Sequence, residues 1–350
     1  MTIATRFRTV LAALAIAATP AAALAQSKQL LLYSWANYVP PDLIKRFEAE
    51  TGIKVSLDVY DSNDTMLAKL QAGGGGYDIV VPSNSILATM IKSGLLLKVD
   101  AAKMSNFGNV TAPHDRPASD PGREYSVPYL WGSTGFTYDS AKVPGGKLTE
   151  SWKEFFEPRP ELSGQIAVLN DQGEVYSAAA LYLGLDTCSE DPADGQKILT
   201  LLEKQKPHIK IYSSTGTIDR VAAGEVIMHQ QWNGASHRSR AKLPTAVFVY
   251  PMEGMNLWGD NFAVPKGASN PESAKIFLNW MMVPKNAAEA SNFSGYNNAI
   301  KGAEELLKAD LRDNPAINPP EALKTRFRPV KDCSLKAREI RDGVWTRLRR

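Results

Sequence analysis

A strand-to-helix switch at residues 30–52 limits the folds open to this chain more than any other feature. Leu30-Leu31-Leu32-Tyr33 is a short apolar run with a β-prone end and reads as a buried strand. Pro40-Pro41 then opens a helix in which Leu43, Ile44 and Phe47 share one face, and Gly52 supplies its stop. Residues 53–60 alternate Ile53, Val55, Leu57 and Val59 against Lys54, Ser56, Asp58 and Tyr60, the period-two pattern of a half-buried strand. A second helix is expected over 64–71, a turn over the glycine run 73–76, and a third strand over 77–81, ending at Pro82-Ser83-Asn84-Ser85. Strands alternating with helices predict an α/β fold. In open α/β sheets, ligands bind beyond the carboxyl ends of the strands. Trp35 and Tyr38 fall at such an end, so they read either as a stacking wall or as packing beneath the helix.

The alternation continues with a strand over 165–169 and helices over 176–183 and 198–204. Residues 127–139 and 247–264 are apolar, aromatic and punctuated by glycine, which suits two crossings between lobes. The 325 residues after Ala25 exceed what one hydrophobic core usually serves, so two lobes are expected.

Residues 1–25 have the layout of a cleavable export signal: Arg6 and Arg8, an apolar stretch over 10–18, and Ala23-Leu24-Ala25. Their removal lowers Lys+Arg from 40 to 38 against 37 Asp+Glu, leaving a charge of +1. A nucleic-acid partner calls for a basic excess, and none remains. No other apolar run approaches the ~18 residues of a membrane span, and the cleavage site has no Cys to carry a lipid. A soluble, exported product is expected. Cys188 and Cys333 are the only cysteines. In an oxidising compartment such a pair can form one disulfide, although spacing alone does not establish proximity; their isolation argues against zinc or a CxxC redox site.

Among motifs, the glycine run lies between a helix and a following strand, the wrong polarity for a phosphate cradle. Residues 213–217 (SSTGT) precede a helix-like segment and read as a side-chain N-cap, with anion binding as the alternative. His114, His208, His229 and His237 show no ligand spacing, and His237, between Ser236 and Ser239, reads as a surface histidine. No nucleophile elbow or Walker pattern is present, so catalysis is not expected. Arg341, Arg347, Arg349 and Arg350 read as the solvated face of a last helix. Asp171 and Glu174 sit at a helix start, Trp232 and Trp258 near segment ends, Asp260 at a crossing, and Tyr296 after Gly295. Singly, each is explained by packing or capping. Together they are what a cation site needs, because aromatic faces attract ammonium groups and carboxylates form charge-assisted hydrogen bonds.

With these residues in view, the chain resembles the periplasmic spermidine/putrescine-binding proteins, the solute-binding components of ABC importers. The resemblance covers the mature sequence and rests on YSWANYVPPDLIKRFEAETGIKV (33–55), DSNDTMLAKL (61–70), YDIVVPS (77–83), SVPYLWGSTGF (126–136), GEV (173–175), WNGA (232–235), WGDNFAVPKGASN (258–270) and NPP (318–320). It implies a two-lobed periplasmic binding fold with hinge strands and an interlobe cleft. Residues 26–134 plus 257–303 would form lobe one, and residues 135–256 plus 304–350 lobe two, placing Cys188 and Cys333 in one lobe. Carried over residue by residue, Trp35 and Tyr38 match an aromatic wall and Ser83 a polar contact. Glu174 matches an amine-pairing carboxylate with Asp171 beside it. Trp232, Trp258 and Tyr296 complete the box around Asp260. The implied ligand is a small cationic polyamine, the implied partner an inner-membrane ABC permease, with no cofactor, no metal and a monomeric state. Two positions depart from the pattern: Ala235 stands where relatives carry Asp or Ser, and Lys331 where they carry a ligand-contacting Gln. Lys331 would repel a cation unless it points away or pairs with Asp332. The alternative is another amine-bearing solute such as an opine, amino sugar or amino acid, whose carboxylate Lys331 and residues 213–217 would favour. An iron carrier would want paired tyrosines, which this chain lacks.

Overall fold

The computed structural model describes residues 29–73 and 76–350. The expected export signal, 1–25, and Gly74 and Gly75 of the glycine run lie outside the described residues.

The first stretch runs β1 (Gln29–Trp35), α1 (Pro41–Thr51), β2 (Lys54–Tyr60), α2 (Asn63–Gln71), β3 (Ile79–Val80) and α3 (Asn84–Lys92). Pro41 starts α1, where its missing N–H leaves no donor orphaned, and Gly52 ends it at φ 72°, donating its N–H to Glu48. β1 pairs in parallel with β2 and β3, and its buried Leu30 and Leu32 meet Leu43 and Phe47 of α1. The alternation over 53–60 marks the covered face only at its start, where Ile53 is buried and Val55 packs on the same core. β2 is the sheet's edge, Val59 is 54% exposed, and Tyr60 on the opposite face is 4% exposed. Leu57 and Val59, farther along the same face as Ile53 and Val55, are left open.

The chain then crosses on β4 (Ser126–Asp139) and builds α4 (Lys153–Phe156), β5 (Ile166–Val168), α5 (Gln172–Tyr182), α6 (Pro192–Gln205), β6 (Ile209–Tyr212), α7 (Thr217–Ala222), β7 (Met228–Trp232), α8 (Asn233–Lys242) and β8 (Ala246–Val249). It returns on β9 (Met255–Ala263) and adds α9 (Pro271–Met281), α10 (Pro284–Ser294) and β10 (Asn297–Asn298). Last come α11 (Ala309–Arg312), α12 (Glu321–Lys324), β11 (Phe327–Pro329) and α13 (Leu335–Leu348).

One curled sheet threads both lobes in the order β2-β1-β3-β9-β4-β7-β5-β6, with β8 and β10 on β4 and β11 on β9. β4 and β9 are its antiparallel spine. The expected second crossing over 247–264 therefore splits. β8 stays in the second lobe, pairing with the far half of β4, and only β9 crosses. Separate cores flank the spine. One joins Leu30, Phe47, Phe262, Phe277 and Leu278; the other joins Phe136, Trp152, Phe155, Ile166, Leu202 and Val344. Cys188 and Cys333 are bonded, with Cα atoms 5.2 Å apart. No described helix is long and apolar enough to cross a membrane.

Candidate ligand-binding cleft

All nine residues singled out from the sequence line one cleft between the two cores. Its depth is built on β9. Successive strand residues face opposite sides, so Asn256, Trp258 and Asp260 share a face. Asp260 lies 6% exposed and bridges backbone to Ser83. Its carboxylate accepts from Tyr38 Oη at 2.7 Å and from Ser83 Oγ at 2.5 Å. Ser83 is itself fixed by Asn63, which donates to its Oγ and accepts from its N–H, both at 3.1 Å. Tyr38 reaches Asp260 from the turn after β1, where Asn37 adopts left-handed backbone (φ 57°), a conformation Asn tolerates better than most residues. Burial pushes the Asp260 carboxyl up to about 7; its two donors pull it back, and Glu174 pushes further up.

The second carboxylate stands in the first turn of α5. Asp171 caps that helix, its Oδ1 accepting from the Glu174 N–H at 3.0 Å. Glu174 accepts from Asn256 Nδ2 at 2.8 Å and from Trp232 Nε1 at 3.3 Å. Burial raises the Glu174 carboxyl, and these donors oppose the shift. Burial likewise takes Asp171 up to about 8, with Glu174 and Asp64 adding to the rise and Arg341 opposing it. The cleft thus holds carboxylates whose charge is costly until a cation arrives.

Aromatic rings close the space between them. Trp258 and Tyr296 meet edge to face at 5.1 Å between centroids, Tyr296 and Tyr38 at 5.7 Å. Trp35 and Trp232 meet edge to face at 6.3 Å between centroids. Such rings present negative faces to an ammonium group and apolar faces to methylenes. Gly234 keeps the box this tight: a Cβ there would lie 2.5 Å from two Tyr296 ring carbons and 2.8 Å from the Gly295 carbonyl oxygen. Gly234→Ala is expected to displace Tyr296, to cost about 1–3 kcal/mol of overpacking, and to weaken binding. Calorimetry on the variant checks both, and an unchanged melting temperature would show that the box can yield.

Several sequence expectations change here. Lys331 sits at the cleft rim, yet its ammonium pairs with Asp186 at 3.2 Å rather than with Asp332. Residues 213–217 provide no side-chain cap: the N-cap of α7 is Gly216, in left-handed backbone, and the Ser213 hydroxyl turns to the Thr215 carbonyl instead. Arg341 is not on a solvated face. It lines the cleft beside Asp171, 17% exposed, with its Nε hydrogen-bonded to nothing among the described residues. His237 is no surface residue either: it is 15% exposed and bonded to Asn314 at 2.8 Å, while the Ser236 hydroxyl is engaged with Thr137. Asn256, which orients Glu174, was missed, although its place two residues before Trp258 and four before Asp260 on a strand was a usable signal. Ala235 also lines the cleft. Among the described residues no His, Cys, Asp and Glu cluster is placed to hold a metal.

A two-lobed α/β fold with a buried, charged and aromatic interlobe cleft defines a solute-binding protein. The family model described as bacterial extracellular solute-binding protein matches residues 42–319, and the chain belongs to that family. It is 33% identical to the putrescine-binding periplasmic protein SpuD of Pseudomonas aeruginosa, over 98% of both chains. It is also 33% identical to the putrescine-binding periplasmic protein PotF of Escherichia coli, over 93% of this chain and 92% of that one. Among solved structures, a putative spermidine/putrescine ABC transporter protein from Listeria monocytogenes superposes with a TM-score of 0.86 at 28% identity, covering 92% of this chain and 99% of the other.

Proposed function

We propose that this protein captures a polyamine, with putrescine or spermidine as the expected class, and hands it to an ABC permease. The observation that carries the reading is Asp260: a buried carboxylate, held by Tyr38 and Ser83 and pushed up to about 7, at the centre of an aromatic box. Burying an ionised acid without a counter-charge is unfavourable, and an ammonium group supplies that charge. Glu174, oriented by Asn256 and Trp232, takes the second amine, with the capping Asp171 adding negative field. Trp35, Tyr38, Trp232, Trp258 and Tyr296 enclose the methylenes. Lys331 is engaged with Asp186, which draws its ammonium away from the cleft carboxylates.

The role is binding rather than catalysis. The lobes, 26–134 plus 257–303 and 135–256 plus 304–350, close by bending where β4 and β9 cross; the two separate hydrophobic cores on either side of those strands support this division. Residues 1–25 direct export and are removed, and the mature protein works in the periplasm as a monomer.

A thermal-shift screen of the ligand-stripped mature protein tests the reading, with putrescine, cadaverine, agmatine, spermidine, amino acids and amino sugars in the panel. At 100-fold excess over Kd, a ligand adds about 2.7 kcal/mol, enough to raise the melting temperature by several degrees. Stabilisation by a polyamine is the expected outcome. Silence from every polyamine with a rise from a zwitterion would transfer the site to the amino-acid or opine class.

A further inference from the structure

A second set of contacts spans the mouth of the cleft without touching the aromatic box. On the first lobe, α3 buries Ile86, Leu87 and Met90 inward and turns Thr89 and Lys92 outward. Opposite them lies the segment between β11 and α13. Asp332 Oδ1 accepts from Thr89 Oγ1 at 2.9 Å and from Arg338 Nη1 at 3.1 Å, while Lys92 Nζ approaches its other oxygen at 3.9 Å. Arg338 also donates to the Thr89 hydroxyl, closing a three-residue ring. The Asp332 and Arg338 side chains are 16% and 21% exposed, so solvent screens the ring less than an open surface pair.

The segment carrying Asp332 is anchored to the second lobe at three points. Lys331 pairs with Asp186, Cys333 is bonded to Cys188, and Ser334 Oγ donates to Glu190 at 2.6 Å. All three anchors fall on the loop that follows α5. The side chain between them, Asp332, is thereby held out toward α3. This also accounts for the Lys331 departure: the lysine positions the segment instead of contacting ligand.

We propose that Asp332, Thr89 and Arg338 form a closure latch, a contact that exists only when the lobes are shut and that slows ligand release by stabilising the shut state. Asp332 is a positioning residue here, acting through lobe geometry. The inference rests on the closure described above and not on which amine is bound. A ligand's apparent affinity scales with the population of the competent state, so loss of the latch lowers affinity through release.

The test compares wild type with Thr89→Val, Asp332→Asn and the double variant, by small-angle scattering with and without putrescine and by stopped-flow putrescine release. Each single variant is expected to scatter as a more open particle and to release ligand about 10-fold faster, since a hydrogen bond to a charged group is worth about that factor. The double variant should lose less than the product of the two single effects, because Thr89 and Asp332 share a contact within one ring. Unchanged scattering and release would overturn the latch, as would additive effects or an equal loss of melting temperature in the ligand-free protein. If putrescine fails to bind wild type, the polyamine reading fails by itself. The release assay is then run with the solute that the thermal-shift panel identifies, and an unchanged release rate rejects the latch.

Discussion

Asp260→Asn is expected to lower polyamine affinity by about 10²-fold or more while leaving the ligand-free melting temperature nearly unchanged. The loss follows from removing one partner of a buried ion pair, which costs about 3–5 kcal/mol. The near-neutral effect on the empty protein has a separate cause. Asn retains one acceptor oxygen, so either Tyr38 or Ser83 loses its bond, at a cost of about 1–3 kcal/mol for the donor left unpaired. Against that, the substitution removes a carboxylate that burial already disfavours in its charged form. Titration calorimetry and scanning calorimetry on the same sample separate the terms. An unchanged affinity would remove Asp260 from the site, and a collapse of the ligand-free melting temperature would assign it to folding.

The second large effect is on pH. Asp260 at about 7, Asp171 at about 8 and a raised Glu174 are all protonated more readily in the folded, empty protein than in the unfolded chain. Their contribution to the stability of the empty protein is therefore fully present below the unfolded carboxylate range, near pH 4, and is lost as pH rises through about 7 to 8. A bound diammonium reverses this, because its charge requires the ionised acids. Its own amines, near the lysine value of about 10.4, stay charged throughout. Affinity should fall about 10-fold per pH unit below 7 for each acid that must lose a proton to bind. Melting temperatures measured from pH 5 to 8 should fall with rising pH without putrescine and stay nearly flat at saturating putrescine, where these acids are ionised in both the folded and the unfolded chain, and parallel curves would show that these carboxylates do not meet the ligand.

Much of the cleft was legible in the sequence because its parts are local patterns. Trp35 and Tyr38 follow directly on a strand whose apolar run declares it. Trp258 and Asp260 lie two apart in a crossing strand, so they share a face in any fold that keeps the strand, and Asn256 belongs to the same pattern. Asp171 and Glu174 are three apart at a helix start, a local placement that the structure completes with the capping bond. The same locality misled over 53–60. The alternation was real, but how far along the strand its apolar face stays covered depends on β2 being an edge strand, and that rests on the whole sheet order.

The remaining details depend on segments far apart in sequence. Arg341 enters the cleft because α13 packs on the second core through Val344 and Leu348, far in sequence from the Asp171 it meets. Lys331 finds Asp186 rather than its neighbour Asp332 because the disulfide brings the two loops together, while Asp332 turns to Thr89. Strand and helix periods, the stop at Gly52, and the grouping of aromatics with carboxylates are short-range properties, and residue order alone dictates them. The partner of each buried charge is a long-range property: burial energetics demand that a partner exist, and the packing of two lobes on β4 and β9 selects which one it is.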